Sequence, residues 1–414
     1  MSTSPSLLNG AAISDRPLPQ MSLQQHLTPA PSTQIKVLFF TPSLGNGGAE
    51  MHLLRVVNAL NRQAFAPSVA VARQGGSYEA ALSENVAIHP LNPESIRSST
   101  VRIIRSIRPL RQLIQTAQPD IVCSFQSHAN LVAIRACQGL TKRPKLIVCA
   151  QNSPFAQYKR SWHLLDRLML TLMAKMYPQA DRIIALSQGV AEELQALSST
   201  VPTAQRPPID VIYNAGVDEA VRRGASRGAA LRDRRSSSPV LIACGRLHPQ
   251  KGYGYLLEAF VKVRKHLPAT LWIVGEGPLR PDIERQIAAL GLTDAVQLLG
   301  FQANPYQYMA AADVFVLSSL YEGFGNVIVE AMACGVPVVA TDCPHGPAEI
   351  LEQGLNGLLA LPADADDLAR KILKLLQHPH LREKLARRGL ARSQQFNSNT
   401  IAANYAQVFR QVLA

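Results

Sequence analysis

The sequence predicts an α/β fold built twice, as two doubly wound domains that each wrap helices around a parallel sheet. Three observations carry this. The chain has 414 residues, more than one hydrophobic core usually supports. Short apolar runs rich in β-branched residues alternate with stretches of helical periodicity, the pattern of strand–helix–strand units. That alternating series occurs twice, on either side of an Arg/Ser/Gly-rich stretch at 219–239 without apolar periodicity. Hydrophobic residues at 47% and charged residues at 17% give a globular balance.

Residues 1–34 are rich in Ser, Pro and Gln, show no periodicity and read as a disordered tail. They lack the apolar core of a secretory signal. The run Ile35–Phe40 is the first strand, followed by the loop Gly45-Asn-Gly-Gly-Ala-Glu50 and helical spacing from Glu50 to Leu60. Ile121–Cys123, Leu146–Val148, Ile183–Leu186 and Val211–Tyr213 continue the first domain, 35–214. Residues 215–239 read as a linker carrying an Arg-rich insertion. The second series is Val240–Cys244, Leu271–Val274, Val296–Leu299, Val314–Leu317 and Val336–Val339, in a domain spanning 240–395. Residues 396–414 hold a helix, about Asn399 to Val412, with no strand after it; it is free to cross back to the first domain.

The formal net charge of +13 is unevenly spread. Residues 1–215 carry +9, residues 222–235 carry +5, and the rest of the second half carries −1. The excess therefore belongs to the first domain and one short segment, and it suggests an anionic partner. Arg102, Arg105 and Arg108 recur every three residues with Ile103, Ile104 and Ile107 between them, flanked by Arg97 and Arg111. Tyr158-Lys-Arg-Ser-Trp162 leads into a second apolar helix that contains Arg167 and Lys175. Basic amphipathic helices suit an anionic membrane surface. Nucleic acid is not expected: no binding motif occurs, and aromatics make up only 6%. No run of eighteen uncharged apolar residues occurs, so no spanning helix is expected. The six cysteines form no CxxC pair and sit in or beside apolar runs, as reduced buried thiols do.

Three loops that follow strands can carry chemistry. Tyr321-Glu-Gly-Phe-Gly-Asn-Val-Ile-Val-Glu330 enters a helix whose free N–H groups and dipole suit a phosphate. Gly245-Arg-Leu-His-Pro-Gln-Lys-Gly252 places two cations, Arg246 and Lys251, on a Gly-bounded loop able to neutralise a diphosphate. The loop from Gly45 to Glu50 lacks GxGxxG spacing, so it is no dinucleotide fingerprint. Each loop, taken singly, also reads as an ordinary solvated turn. Asp364-Ala-Asp366 spells a DxD but opens a helical run, where an N-cap accounts for it. His89 and His345 lack partners at metal spacing, so no metal or other cofactor is expected.

Together these clusters resemble the retaining nucleotide-sugar glycosyltransferases of family four (glycosyl transferases group 1), which have the GT-B fold. The resemblance rests on the GGAE loop, GRLxxxKG, the E-x7-E pair Glu322 and Glu330, the run from Glu322 to Ile350, the hinge-like Val211–Asp218 and the segment Ala180–Ser187. It covers about residues 35–410. It implies two Rossmann-like domains facing a central cleft and transfer of a hexose from a nucleoside-diphosphate sugar, by family frequency a UDP sugar. The acceptor would be a lipid-linked sugar or polysaccharide at the cytoplasmic face of the inner membrane. It also implies roles. Arg246 and Lys251 would hold the diphosphate, and Glu330 the ribose hydroxyls. Glu322 would touch the donor sugar, with Gly323, Phe324 and Gly325 supplying backbone donors. Gly48 would close over the phosphates from the opposite domain. Gly275, Glu276, Gly277 and Phe301 would lie near the base, and His128 near the reacting sugar. Asn326 stands where many relatives carry Pro or a larger apolar residue. The rivals are a GT-B sugar-nucleotide epimerase, against which the E-x7-E pair and GRLxxxKG speak, and a non-catalytic GT-B binding protein.

Overall fold

Seven parallel strands make the first sheet: β1 (Ile35–Thr41), β2 (Phe65–Val71), β3 (Ala87–Pro90), β4 (Ile121–Phe125), β5 (Lys145–Ala150), β6 (Arg182–Ala185) and β7 (Ile209–Val211). Their helices are α1 (Gly48–Ala59), α2 (Ser99–Arg105), α3 (Ile107–Ala117), α4 (Ser127–Cys137), α5 (Leu164–Met176) and α6 (Gln188–Leu197). After α7 (Glu219–Ser226) come β8 (Val240–Cys244), α8 (Tyr253–Arg264), β9 (Thr270–Val274), α9 (Arg280–Ala289), β10 (Val296–Gly300) and α10 (Tyr306–Ala311). The chain continues through β11 (Val314–Leu317), α11 (Asn326–Ala333), β12 (Val338–Thr341), α12 (Pro347–Ile350) and β13 (Leu358–Ala360). It ends with α13 (Ala365–Gln377), α14 (Pro379–Ser393) and α15 (Ser398–Leu413). This computed structural model describes residues 34–45, 47–92, 99–159, 164–228, 230–231 and 238–414. The expected tail through Thr33, and Arg97, Arg160, Trp162 and the side chains of Lys159 and Arg167, lie outside the described residues, as do 229 and 232–237 of the Arg-rich segment. Among the described residues no helix is long and apolar enough to cross a membrane.

Helices cover both faces of each sheet, so the central strands β4, β8 and β11 are buried throughout and read as apolar runs broken only at Ser124. The sheet orders are β3-β2-β1-β4-β5-β6-β7 and β10-β9-β8-β11-β12-β13. Parallel crossovers run outward in both directions from the first strand of each sheet. The loops after β1 and β4, and after β8 and β11, therefore part at a switch point, where open α/β sheets bind ligands.

The chain crosses between the lobes twice, and the crossings hold each other. Gly216 N donates to Phe396 O at 3.0 Å and Ser398 N to Val217 O at 2.9 Å. Helix α15 then packs on the first lobe, with Ile401, Tyr405, Phe409 and Val412 in one core with Phe39, Phe65 and Phe125.

Two expectations change here. The stretch 215–239 contains helix α7, capped by Asp218, whose side chain accepts from Val221 N at 3.0 Å. Its buried face consists of Val221 and Gly224; a Cβ at Gly224 would meet Asn304 and Tyr306 within 3 Å. Small residues make that contact, so no apolar period marks it. The arginine stripe is not one exposed face either. Arg102 is buried, whereas Arg105 and Arg108 are exposed. The helix breaks at buried Ser106, whose Oγ donates to Arg102 O. Pro109 lies in the first turn of α3, where its missing N–H costs little.

Candidate active site

A cavity of about 770 Å³ lies between the lobes, lined from both. On the second lobe it begins at the loop after β8. Lys251 ends the short turn Pro249–Lys251, in which the His248 side chain accepts from Gln250 N. Gly252 follows at φ +61, and a Cβ there would lie 2.2 Å from Ser318 O, so the loop closes onto the β11 loop only with glycine. Lys251 Nζ lies 2.6 Å from Glu322 Oε1, and Ser319 Oγ donates to the same oxygen at 2.6 Å. Among the described residues nothing pairs with Arg246, which is exposed and lines the cavity. The β11 loop is itself held from behind: Phe324 is buried and stacks on Tyr213 at 5.5 Å.

Glu330 lies one turn into α11 and lines the cavity floor. Burial pushes its carboxyl above the usual range, and Arg55 opposes that shift. Arg55 comes from α1 of the first lobe; its Nη1 is 3.2 Å from Glu330 Oε1, and its Nε is 2.8 Å from Asp218 Oδ2.

The first lobe supplies Gly47, Gly48, Tyr78, Gln151, Asn152 and Asn214 to the wall. Asn326 bridges the cleft: its Nδ2 donates to Gly48 O at 3.1 Å and its Oδ1 accepts from Asn214 Nδ2 at 3.0 Å. Gly323 passes so near Asn152 that a Cβ would lie 2.9 Å from the Asn152 Cα. Gln151 Oε1 is buried without a hydrogen-bond partner among the described residues.

Of the residues singled out in the sequence, Gly48, Gly275, Glu276, Phe301, Phe324 and Gly325 also line the cavity, with Glu276 paired to Arg280 at 2.6 Å. Gly277 does not line it; a Cβ there would meet Leu247 O at 2.4 Å, so it serves loop packing. His128 does not line it either. It is exposed on the first turn of α4, edge-on to Tyr158 at 6.3 Å. Asp364 of the DxD accepts from Asp367 N, and Asp366 pairs with Lys262. Sequence reasoning gave no site role to Arg55, Gln151 or Asn214: Arg55 and Gln151 stand in no charged or Gly-rich cluster, Asn214 reads only as part of the hinge-like segment Val211–Asp218, and only the fold brings them to the cleft.

A second contact joins the lobes beside the cavity. His345 Nε2 lies 2.6 Å from Glu193 Oε1, and Glu349 accepts from Gln188 N and Gly189 N at the start of α6. The bond to Glu193 raises the His345 pKa above its ordinary value.

Two parallel-sheet lobes with this cleft define the GT-B class. Residues 238–378 match the family described as Glycosyl transferases group 1, and residues 46–220 match Glycosyltransferase Family 4. The chain belongs to this glycosyltransferase family. It is 28% identical over 375 residues to the N-acetylgalactosamine-N,N'-diacetylbacillosaminyl-diphospho-undecaprenol 4-alpha-N-acetylgalactosaminyltransferase of Campylobacter jejuni, covering 89% of this chain and 97% of that one. It is 26% identical to the lipopolysaccharide core biosynthesis glycosyltransferase LpsE of Rhizobium meliloti, covering 83% and 90%. The crystal structure of Anabaena HepE in complex with UDP and glucose superimposes with a TM-score of 0.76 at 25% identity, covering 91% of this chain and 100% of that one.

Proposed function

We propose that the enzyme transfers a hexose, with retention, from a UDP sugar to a lipid-linked or polysaccharide acceptor at the cytoplasmic membrane face. The observation that carries this is the convergence of Arg246, Lys251, Glu322 and Glu330 on one cavity lined by both lobes. Two cations match a diphosphate, and buried carboxylates match sugar and ribose hydroxyls. UDP is supported by its presence in the HepE complex, and a lipid-linked acceptor by the name of the Campylobacter relative. In a front-face reaction the bond from the sugar C1 to the β-phosphate oxygen breaks. The acceptor oxygen bonds to C1 on the same face, and its proton passes to the departing phosphate. Arg246 and Lys251 stabilise the charge on that phosphate.

The test is a panel of UDP, GDP and ADP sugars in thermal shift, followed by assay of free nucleoside diphosphate with and without acceptor. A bound donor at a hundredfold excess over Kd stabilises by about 2.7 kcal/mol. No shift with any donor, or release independent of acceptor, counts against transfer.

The two glutamates should separate kinetically. Glu330→Ala is expected to raise the donor KM, because a ribose contact is equal in ground and transition states. Glu322→Ala is expected to lower kcat, because a sugar contact that tightens during transfer acts there. A normal donor KM in the Glu330 variant defeats the assignment.

A further inference from the structure

Arg55 is a buried arginine that uses all three guanidinium nitrogens. Besides Glu330 and Asp218, it donates from Nη1 to Ala215 O at 3.1 Å and from Nη2 to the Tyr306 hydroxyl at 3.1 Å. It thus joins the first lobe, the crossing segment and the second lobe at the cavity floor. We propose that Arg55 is a positioning residue for the donor, reaching across the cleft to hold the Glu330 carboxylate oriented and charge-matched toward the ribose. This rests on the ribose role given to Glu330 above.

A carboxylate offers about four acceptor sites on two oxygens. Arg55 engages Oε1, and the Glu330 side chain keeps 12% exposure to the cavity, so acceptor capacity remains for a vicinal diol. The groups facing Glu330 are Arg55 from α1, Asp218 before α7, Tyr306 of α10, Tyr78 of the first lobe, Cys244 at the end of β8, and Cys334 after α11. Burial and Asp218 both favour the protonated acid; Arg55 is the cation that opposes them, joined by a hydrogen bond from Tyr306. Without Arg55, Glu330 holds its proton to higher pH and loses an acceptor oxygen. Donor affinity should then recover as pH rises and the acid ionises.

The test is calorimetric titration of the full chain with UDP across a pH series, read as the ratio of variant to wild-type Kd, which cancels the ionisation of the UDP terminal phosphate. At the acid end Arg55→Gln should bind about tenfold more weakly than wild type, the loss of one hydrogen bond to a charged group. Toward the alkaline end, where Glu330 ionises in both, the ratio should fall toward one. Arg55→Lys, which keeps the charge, should hold the ratio near one throughout. A pH-independent loss in Arg55→Gln, or no loss, overturns the role. Should Arg55→Gln not fold, the double variant Arg55→Gln with Glu330→Gln decides, because it removes both charges of the pair. UDP affinity equal to that of Glu330→Gln alone supports the role, and a further loss overturns it. Normal UDP affinity in Glu330→Gln alone overturns the ribose reading and this inference together. Weakened binding there with unaffected Arg55 variants overturns this inference only.

Discussion

Lys251→Ala is expected to lower turnover by about 10²–10³-fold, the effect of removing one charge-stabilising donor, or about 2.7–4 kcal/mol. In the proposed reaction the departing diphosphate must be neutralised as the bond to the sugar breaks, and Lys251 stands in the cavity beside Glu322. The same substitution strips Glu322, itself 6% exposed, of its cation, leaving the Ser319 hydroxyl on that oxygen. An uncompensated buried carboxylate is costly, so the loss should exceed that of Arg246→Ala, whose side chain leaves no buried partner behind. Arg246→Ala should keep the wild-type melting profile, Lys251→Ala should melt only a few degrees lower, and EDTA should leave turnover unchanged. Single-turnover rates with saturating donor measure the effect. Wild-type rates in either variant, or activity lost in EDTA, contradict it.

The alternation of strands and helices was legible because central strands buried on both faces, such as Val314–Leu317, must be continuously apolar. Strands β2, β3 and β13 carry no such signal: β2 is interrupted by Pro67 and Ser68, and β3 and β13 are edge strands of four and three residues, largely half-buried or exposed. The charged loops after β8 and β11 announced themselves through glycines flanking cations and carboxylates. Arg55 did not, because within α1 it reads as one basic residue on an ordinary amphipathic helix, and its partners lie 160 or more positions away. His128 shows the converse. Its place after a strand is legible, but the direction of its side chain depends on the turn at Gln126, which takes φ +76.

Binding to anionic vesicles is expected to fall sharply in a variant with Arg105→Glu and Arg108→Glu. These residues are exposed beside Val101 and Ile104, which are 44% and 57% exposed, a basic and apolar surface suited to a bilayer interface. Each basic residue near such a surface contributes about 1 kcal/mol, so losing two costs roughly 2 kcal/mol, about thirtyfold, before the added repulsion. Arg102 is left out of the variant because it is buried, and a glutamate there would test folding instead. Attraction of this kind is screened within about 8 Å at physiological salt, so wild-type binding should weaken as salt rises. UDP binding should be unchanged in the variant, which separates surface attachment from damage to the cleft. Replacement of Arg232, Arg234 and Arg235 by Ser is the paired control, since residues 222–235 carry +5 of their own and this change spares helix α7. Cosedimentation with neutral and anionic vesicles reads the outcome. Equal binding to both vesicle types, or full retention by the double variant, removes this surface from the membrane contact.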